Sequence, residues 1–357
     1  MKSVETNILQ WDEEQENYIA PGLVDLQVNG IGGVDFNDLK LTSGEVLKAT
    51  RYLLSRGVTT FFPTIITNSD ENILTLIHNI IQACDSYPIV KETISGIHLE
   101  GPFISPIEGA RGAHHSRYIK SPDWALIQRL QEAARGKIKI VTIAPEWDNA
   151  CEFITKCREN NMLVSMGHSL AETQQIVKAI EAGMTLSTHL GNGVPLLIRR
   201  HPNMIWDQLA NDELYTMIIT DGHHIPDSFI KVVTKIKGEK TIIVSDATCF
   251  AGLPAGEYES TIGGRVILES QKRLSIKGAG GLLAGAAKDL LEDVETIVNH
   301  KLATLSEAWK MASINVTDML KKYFPDLVNE DNDKVIFKIE AGGIKVQNVI
   351  KNGKTVY

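Results

Sequence analysis

Short apolar runs rich in Val, Ile, Thr and Phe recur along the chain, each followed by a stretch with helical spacing. They cover residues 23–28, 59–65, 94–99, 138–143, 163–166, 185–188, 216–219 and 241–245. Gly, Pro or Asp bounds them, so they read as eight buried strands. Thr42-Ser-Gly-Glu45 and Ser169-Leu-Ala-Glu172 have capping-box spacing. Ser121-Pro122-Asp123 reads as a cap with proline in the first turn. Gly57, Gly136 and Gly183 stand where the intervening helices should stop. Eight alternations within about 250 residues predict an α/β fold, a (β/α)8 TIM-type barrel over residues 21–325. The alternative is a doubly wound sheet. Gly30-Ile-Gly-Gly33 follows the first strand, however, without GxGxxG spacing.

A late helix is predicted over 304–323, opened by the capping box Thr304–Glu307. Strands at 335–339, 344–350 and 355–357 follow, with Asn352-Gly353 as a hairpin turn. Residues 1–20 and 326–357 should together form a small β appendage, the C-terminal strands pairing with residues 6–20.

Composition narrows the class without setting the chemistry. Hydrophobic residues are 43% and charged residues 22%, enough for a large core; the net charge is −8, which excludes a broad nucleic-acid surface. Four cysteines without a CxxC pair point to a reducing compartment. The polar, acidic N-terminus does not read as a signal peptide, and no apolar window is long enough to span a membrane. A soluble cytoplasmic protein is expected.

Barrel enzymes carry their chemistry at the C-terminal strand ends. Those ends hold Gln27 and Asn29, Glu100, His168, His189, Asp221 and Asp246. Taken singly, each has a plain structural explanation: Glu100 as a helix cap, His168 as a helix-entry residue, His189 as a hydrogen-bonded core histidine. Together, two histidines and a carboxylate from separate strands have the composition of a catalytic metal site with an open coordination position. Asp246 then stands where a general base is needed. His98 shares a strand face with Glu100 one layer deeper, and reads as a supporting or packing histidine.

His98-Leu-Glu-Gly-Pro102, Gly167-His168-Ser169, Thr188-His189-Leu-Gly-Asn192, Asp221-Gly-His-His224 and Val244-Ser-Asp246-Ala-Thr248 resemble, in order, the motifs of the N-acetylglucosamine-6-phosphate deacetylase family of the amidohydrolase superfamily. Pro21-Gly-Leu-Val-Asp25 and Gln27-Val-Asn29-Gly30 resemble its first-strand motif. The resemblance implies metal-dependent deacetylation of an amino sugar phosphate, with N-acetylglucosamine 6-phosphate giving glucosamine 6-phosphate and acetate. A galactosamine epimer, a non-phosphorylated hexosamine or a cyclic amide is the alternative substrate. It implies one divalent metal ion per chain, zinc or alternatively iron, manganese or cobalt, held by Glu100, His168 and His189. Asp246 would be the acid/base. His114 and His224 would contact the sugar and its acetamide. Asn192 and Gly193 would offer backbone N–H groups to the phosphate, and Arg200 would pair with it. Leu283, Ala284 and Gly285 would line the substrate. A homodimer is implied, with the arginine able to cross the interface; neither nucleic acid nor membrane is expected as a partner.

Three departures carry expectations. Gln27 and Asn29 replace the superfamily's first-strand His-x-His, which points to a mononuclear site. Gly191-Asn192-Gly193-Val194 lacks the family's aromatic before Asn and its Ala-Met after it. Only 20 residues precede the Pro-Gly motif, so the appendage should lean on the C-terminal tail.

Overall fold

The computed structural model describes residues 8–260, 264–327 and 332–357. Eight parallel strands form one sheet in strictly consecutive order: β1 (Leu23–Val28), β2 (Val58–Ile66), β3 (Ile97–Glu100), β4 (Ile138–Ile143), β5 (Leu163–Met166), β6 (Leu186–Ser187), β7 (Tyr215–Ile218) and β8 (Thr241–Ile243). The sheet closes on itself. Asn29 and Gly30 donate their N–H groups to the Ala247 carbonyl at 2.8 and 3.0 Å, and Val28 bridges Ala247 in parallel. Asp25 adds a side-chain clip at this seam, its Oδ1 accepting from the Ser245 N–H at 3.2 Å. This is a (β/α)8 barrel.

The interior is filled by Val24, Leu26, Phe62, Ile140, Leu163, Leu186, Met217 and Ile242, and closed below by Leu320 and Phe324. A second apolar layer lies between the barrel and its helices. Parallel strands point all their C-terminal ends to one face, so residues spread from Gln27 to Asp246 meet there.

Capping boxes form as expected at Thr42/Glu45 and Thr304/Glu307. The Ser169–Glu172 box does not. Its helix starts at Thr173 with Glu172 as the cap, because the Ser169 hydroxyl donates to Glu146 instead at 2.6 Å. The helix expected from Ser121 starts at Trp124, capped by Asp123. The single late helix is two, Leu305–Met311 and Ile314–Tyr323. They break at Ala312, whose carbonyl accepts from the Val24 N–H of β1 at 2.9 Å.

The termini pair in a five-stranded sheet: Gln10–Asp12, Asn17–Pro21, Lys334–Glu340, Gly343–Lys351 and Lys354–Thr355. Residues 6 and 7 of the segment expected to pair lie outside the described residues. A buried Lys351–Asp333 ion pair (2.7 Å), with Lys351 also reaching Thr60 of β2, pins this sheet to the barrel. Beyond β8, an antiparallel sheet of β9 (Gly256–Ser260), β10 (Gly264–Leu268) and β11 (Leu274–Ile276) was not foreseen. Among the described residues, no helix is long and apolar enough to cross a membrane.

Candidate active site

Three strand-end residues converge on one carboxylate oxygen. Glu100 Oε1 lies 3.2 Å from His168 Nε2 and 3.0 Å from His189 Nε2. All three side chains are buried, and their ligating atoms lie within 4.8 Å of one another. Burial opposes ionisation of Glu100, but the two imidazoles outweigh it and hold the carboxyl well below the usual range.

The donor chemistry fits a cation. His168 donates from Nδ1 to the Ala110 carbonyl at 2.9 Å. That bond fixes the orientation of the ring and turns Nε2 toward the Glu100 oxygen. His168 Nε2 and the Glu100 oxygen, 3.2 Å apart, are donor atoms that one bound cation can share. For ligand bonds of about 2.0–2.1 Å, neighbouring donors of a tetrahedral site stand slightly more than 3 Å apart, as the side chains do here.

Asp246 stands just beyond the end of β8 and is half-buried. Burial, then the negative Glu100, push its carboxyl up to about 6, with His189 and His224 pulling it back. His168, His189 and Asp246 all adopt left-handed backbone, with φ of +50°, +27° and +48°. L-residues rarely take this region. Here it turns each side chain inward as its strand ends.

The first strand turns two side-chain amides toward the site. Gln27 Nε2 donates to Glu100 Oε1 at 3.1 Å, and Asn29 Nδ2 donates to Asp246 Oδ1 at 2.7 Å. These two residues stand where His-x-His would be and hold the two carboxylates in place. Sequence reasoning noted the substitution but missed this role.

His114 is brought to the cluster by the loop after β3. Its ring packs against His168, with the two Nε2 atoms 3.3 Å apart, and its Nδ1 bonds the Thr67 hydroxyl at 2.9 Å. Burial, followed by the neighbouring His168, lowers it to about 3. His224 is oriented by Asp221, whose Oδ2 accepts from His224 Nδ1 at 2.8 Å while Oδ1 accepts the His223 and His224 N–H groups. Burial acts against ionisation of Asp221, yet the His224 bond keeps it below the usual carboxylate range.

The expected anion segment is only partly brought in. The Asn192 N–H is already bonded to the His189 carbonyl at 2.9 Å. Gly193 sits directly over His168, where a Cβ would come within 2.8 Å of Nδ1. Arg200 is exposed. Leu196 and Leu197, on the same segment, are 99% and 91% exposed. Leu283, Ala284 and Gly285 run beside the end of β8. Ala286 bridges Ala247, and a Cβ on Gly285 would press on Thr248 at 2.6 Å. A separate cavity of about 380 Å³, lined by Arg158, Thr185, Glu213 and Lys322 among others, opens at the opposite end of the barrel and takes no part in this cluster.

The model of the Amidohydrolase family matches residues 18–356. A relative from Bacillus subtilis, named N-acetylglucosamine-6-phosphate deacetylase, is 32% identical over 73% of this chain and 67% of its own. A Haemophilus influenzae protein of the same name is 33% identical over 84% of this chain and 76% of its own. The crystal structure of N-acetylglucosamine-6-phosphate deacetylase from Pasteurella multocida superposes with a TM-score of 0.83 at 28% identity, covering 96% of this chain and 87% of that one.

Proposed function

The chain belongs to the amidohydrolase family, and on that premise we propose that it hydrolyses the acetamide of N-acetylglucosamine 6-phosphate, giving glucosamine 6-phosphate and acetate. The names of its relatives support the substrate class. The observation that carries the reaction is the buried convergence of Glu100, His168 and His189, with Asp246 held just beyond β8 by the Asn29 amide.

Glu100, His168 and His189 would hold one divalent metal, zinc by its preference for this donor set. Such an ion polarises an amide carbonyl and acidifies water. The protein's own groups do the rest. Asp246 takes the proton of the attacking water as the C–O bond forms at the acetamide carbon. It then delivers that proton to the nitrogen as the C–N bond breaks, so the amine leaves neutral. The Asn29 amide keeps Asp246 aimed through both steps. His114, neutral and fixed by Thr67, lies against His168 to steady the carbonyl oxygen. His224, aimed by Asp221, contacts the sugar. With Gln27 and Asn29 spent on hydrogen bonds, the site is mononuclear.

Gly193 offers its N–H to the phosphate, and Arg200 makes paired bonds to it. Arg200 stands on a segment whose leucines face solvent, which supports a homodimer in which this arm covers, and is covered by, a second copy. The test is acetate release from the 6-phosphates of N-acetylglucosamine and N-acetylgalactosamine and from the free sugars, with and without chelator. Chelator-sensitive release, fastest with N-acetylglucosamine 6-phosphate, is expected. No release from any of these substrates overturns the reading, and faster release from the galactosamine compound moves the specificity to that epimer.

A further inference from the structure

One pleat below the ligand cluster, four buried polar side chains form a continuous chain across four strands. His98 Nε2 and the Thr142 hydroxyl are 2.7 Å apart; Thr142 and Thr188 are 2.8 Å apart; Thr188 and Ser165 are 2.6 Å apart. The far nitrogen of His98 reaches the Leu26 carbonyl at 3.1 Å. His98, Thr142 and Ser165 are 0% exposed and Thr188 is 2% exposed. The proposed reaction uses none of these groups.

Their positions along the chain are telling. His98 lies two residues before Glu100, Thr188 one before His189, and Ser165 three before His168. Thr142 lies on β4, the one strand among β3 to β6 whose end supplies no ligand. In the ladder it stands opposite Glu100 on one side and Ser165 on the other. Its methyl is also in place: a Cβ added at Gly167 would strike Thr142 Cγ2 at 2.7 Å and Thr188 Cβ at 2.8 Å. Thr142 therefore reaches, directly or through one hydroxyl, each strand that carries a proposed ligand. Such a cluster fixes the spacing of those strand ends to a hydrogen bond's tolerance, because each bond weakens steeply when stretched.

We propose that Thr142 is a positioning residue for the cation site, its hydroxyl setting the separation of Glu100, His168 and His189 through His98, Thr188 and Ser165. The inference rests on the metal reading above. Outer-shell partners of this kind change metal affinity by about 10–100-fold when removed.

The experiment is zinc affinity of the purified full chain, stripped of metal and titrated against a chromogenic chelator. Thr142→Val keeps the methyl contact and removes only the hydroxyl. Its affinity should fall by about 10–100-fold, and Thr142→Ser, which restores the hydroxyl, should recover most of it. Thr216→Val is the control. Thr216 is equally buried on β7, and its hydroxyl has no partner among the described residues. It should bind zinc as the unaltered chain does. Unchanged affinity in Thr142→Val, no recovery in Thr142→Ser, or an equal loss in Thr216→Val overturns the inference. Should Thr142→Val not fold, Ser165→Ala is measured instead. It cuts the far end of the chain, and unchanged affinity there is equally fatal. An unaltered chain that binds no divalent ion sinks the metal reading itself.

Discussion

Asp25 offers the sharpest quantitative test of how this barrel is closed. Its side chain is 0% exposed. Oδ1 accepts the Gln27 and Ser245 N–H groups, each at 3.2 Å, while Oδ2 has no partner among the described residues. Burial dominates and lifts the carboxyl from 3.8 to about 7; the hydrogen bonds hold it down, and the nearby Asp246 adds to the rise. The difference of about 3 pKa units corresponds to about 4 kcal/mol. The folded state binds this proton more tightly than the unfolded chain. The stability it carries is therefore complete below about pH 4, declines as pH rises, and is gone above about pH 7. Asp25→Asn keeps an oxygen for both amides and cannot ionise. Urea unfolding of both proteins between about pH 4 and about pH 8 should show their stability difference swinging by about 4 kcal/mol in favour of Asn. A difference that stays flat across this range means the carboxyl is already ionised in the fold, and the argument from burial fails.

Three further outcomes bear on the site. Asp246→Asn should lower kcat by about 10²–10⁴-fold with little change in bound metal; near-normal turnover would remove it as the acid/base. Arg200→Ala should raise KM for the phosphorylated substrate more than it lowers kcat, and unchanged kinetics would take it out of the phosphate site. Gly193→Ala places a methyl 2.8 Å from His168 Nδ1 at a φ of +61°. Elemental analysis should then find the metal content per chain well below that of the unaltered protein, and full occupancy would show that the loop yields instead.

The barrel was legible because its strands are short, apolar and separated by helical spacing. Residues 138–143 and 163–166 match β4 and β5 residue for residue. What was not legible depends on tertiary competition. Ser169 carries a capping signal that Glu146, from the preceding strand-to-helix connection, overrides. Ala312 and Ser313 are tolerable inside a helix, and the break there is set by β1 borrowing a carbonyl. The β9–β11 sheet escaped because β9 is largely exposed and lacks an apolar alternation. At the site, the strand-end rule found Glu100, His168, His189 and Asp246. The same rule also flagged Gln27, Asn29 and Asp221, but what each one bonds is a fact of packing. The role of Thr142 leaves no mark in a single sequence beyond its place on an inward-facing register.

The left-handed backbone at His168, His189 and Asp246 also biases how this protein can decay. Each of these positions suits glycine better than the residue it holds, by roughly 1–2 kcal/mol in backbone terms. Backbone strain and the buried hydrogen bonds of these side chains therefore pull in opposite directions at all three positions. For the experimenter the same bias is useful. A glycine in place of either histidine should give a sturdier inactive protein than an alanine would, with a vacated pocket into which free imidazole can be supplied from solution.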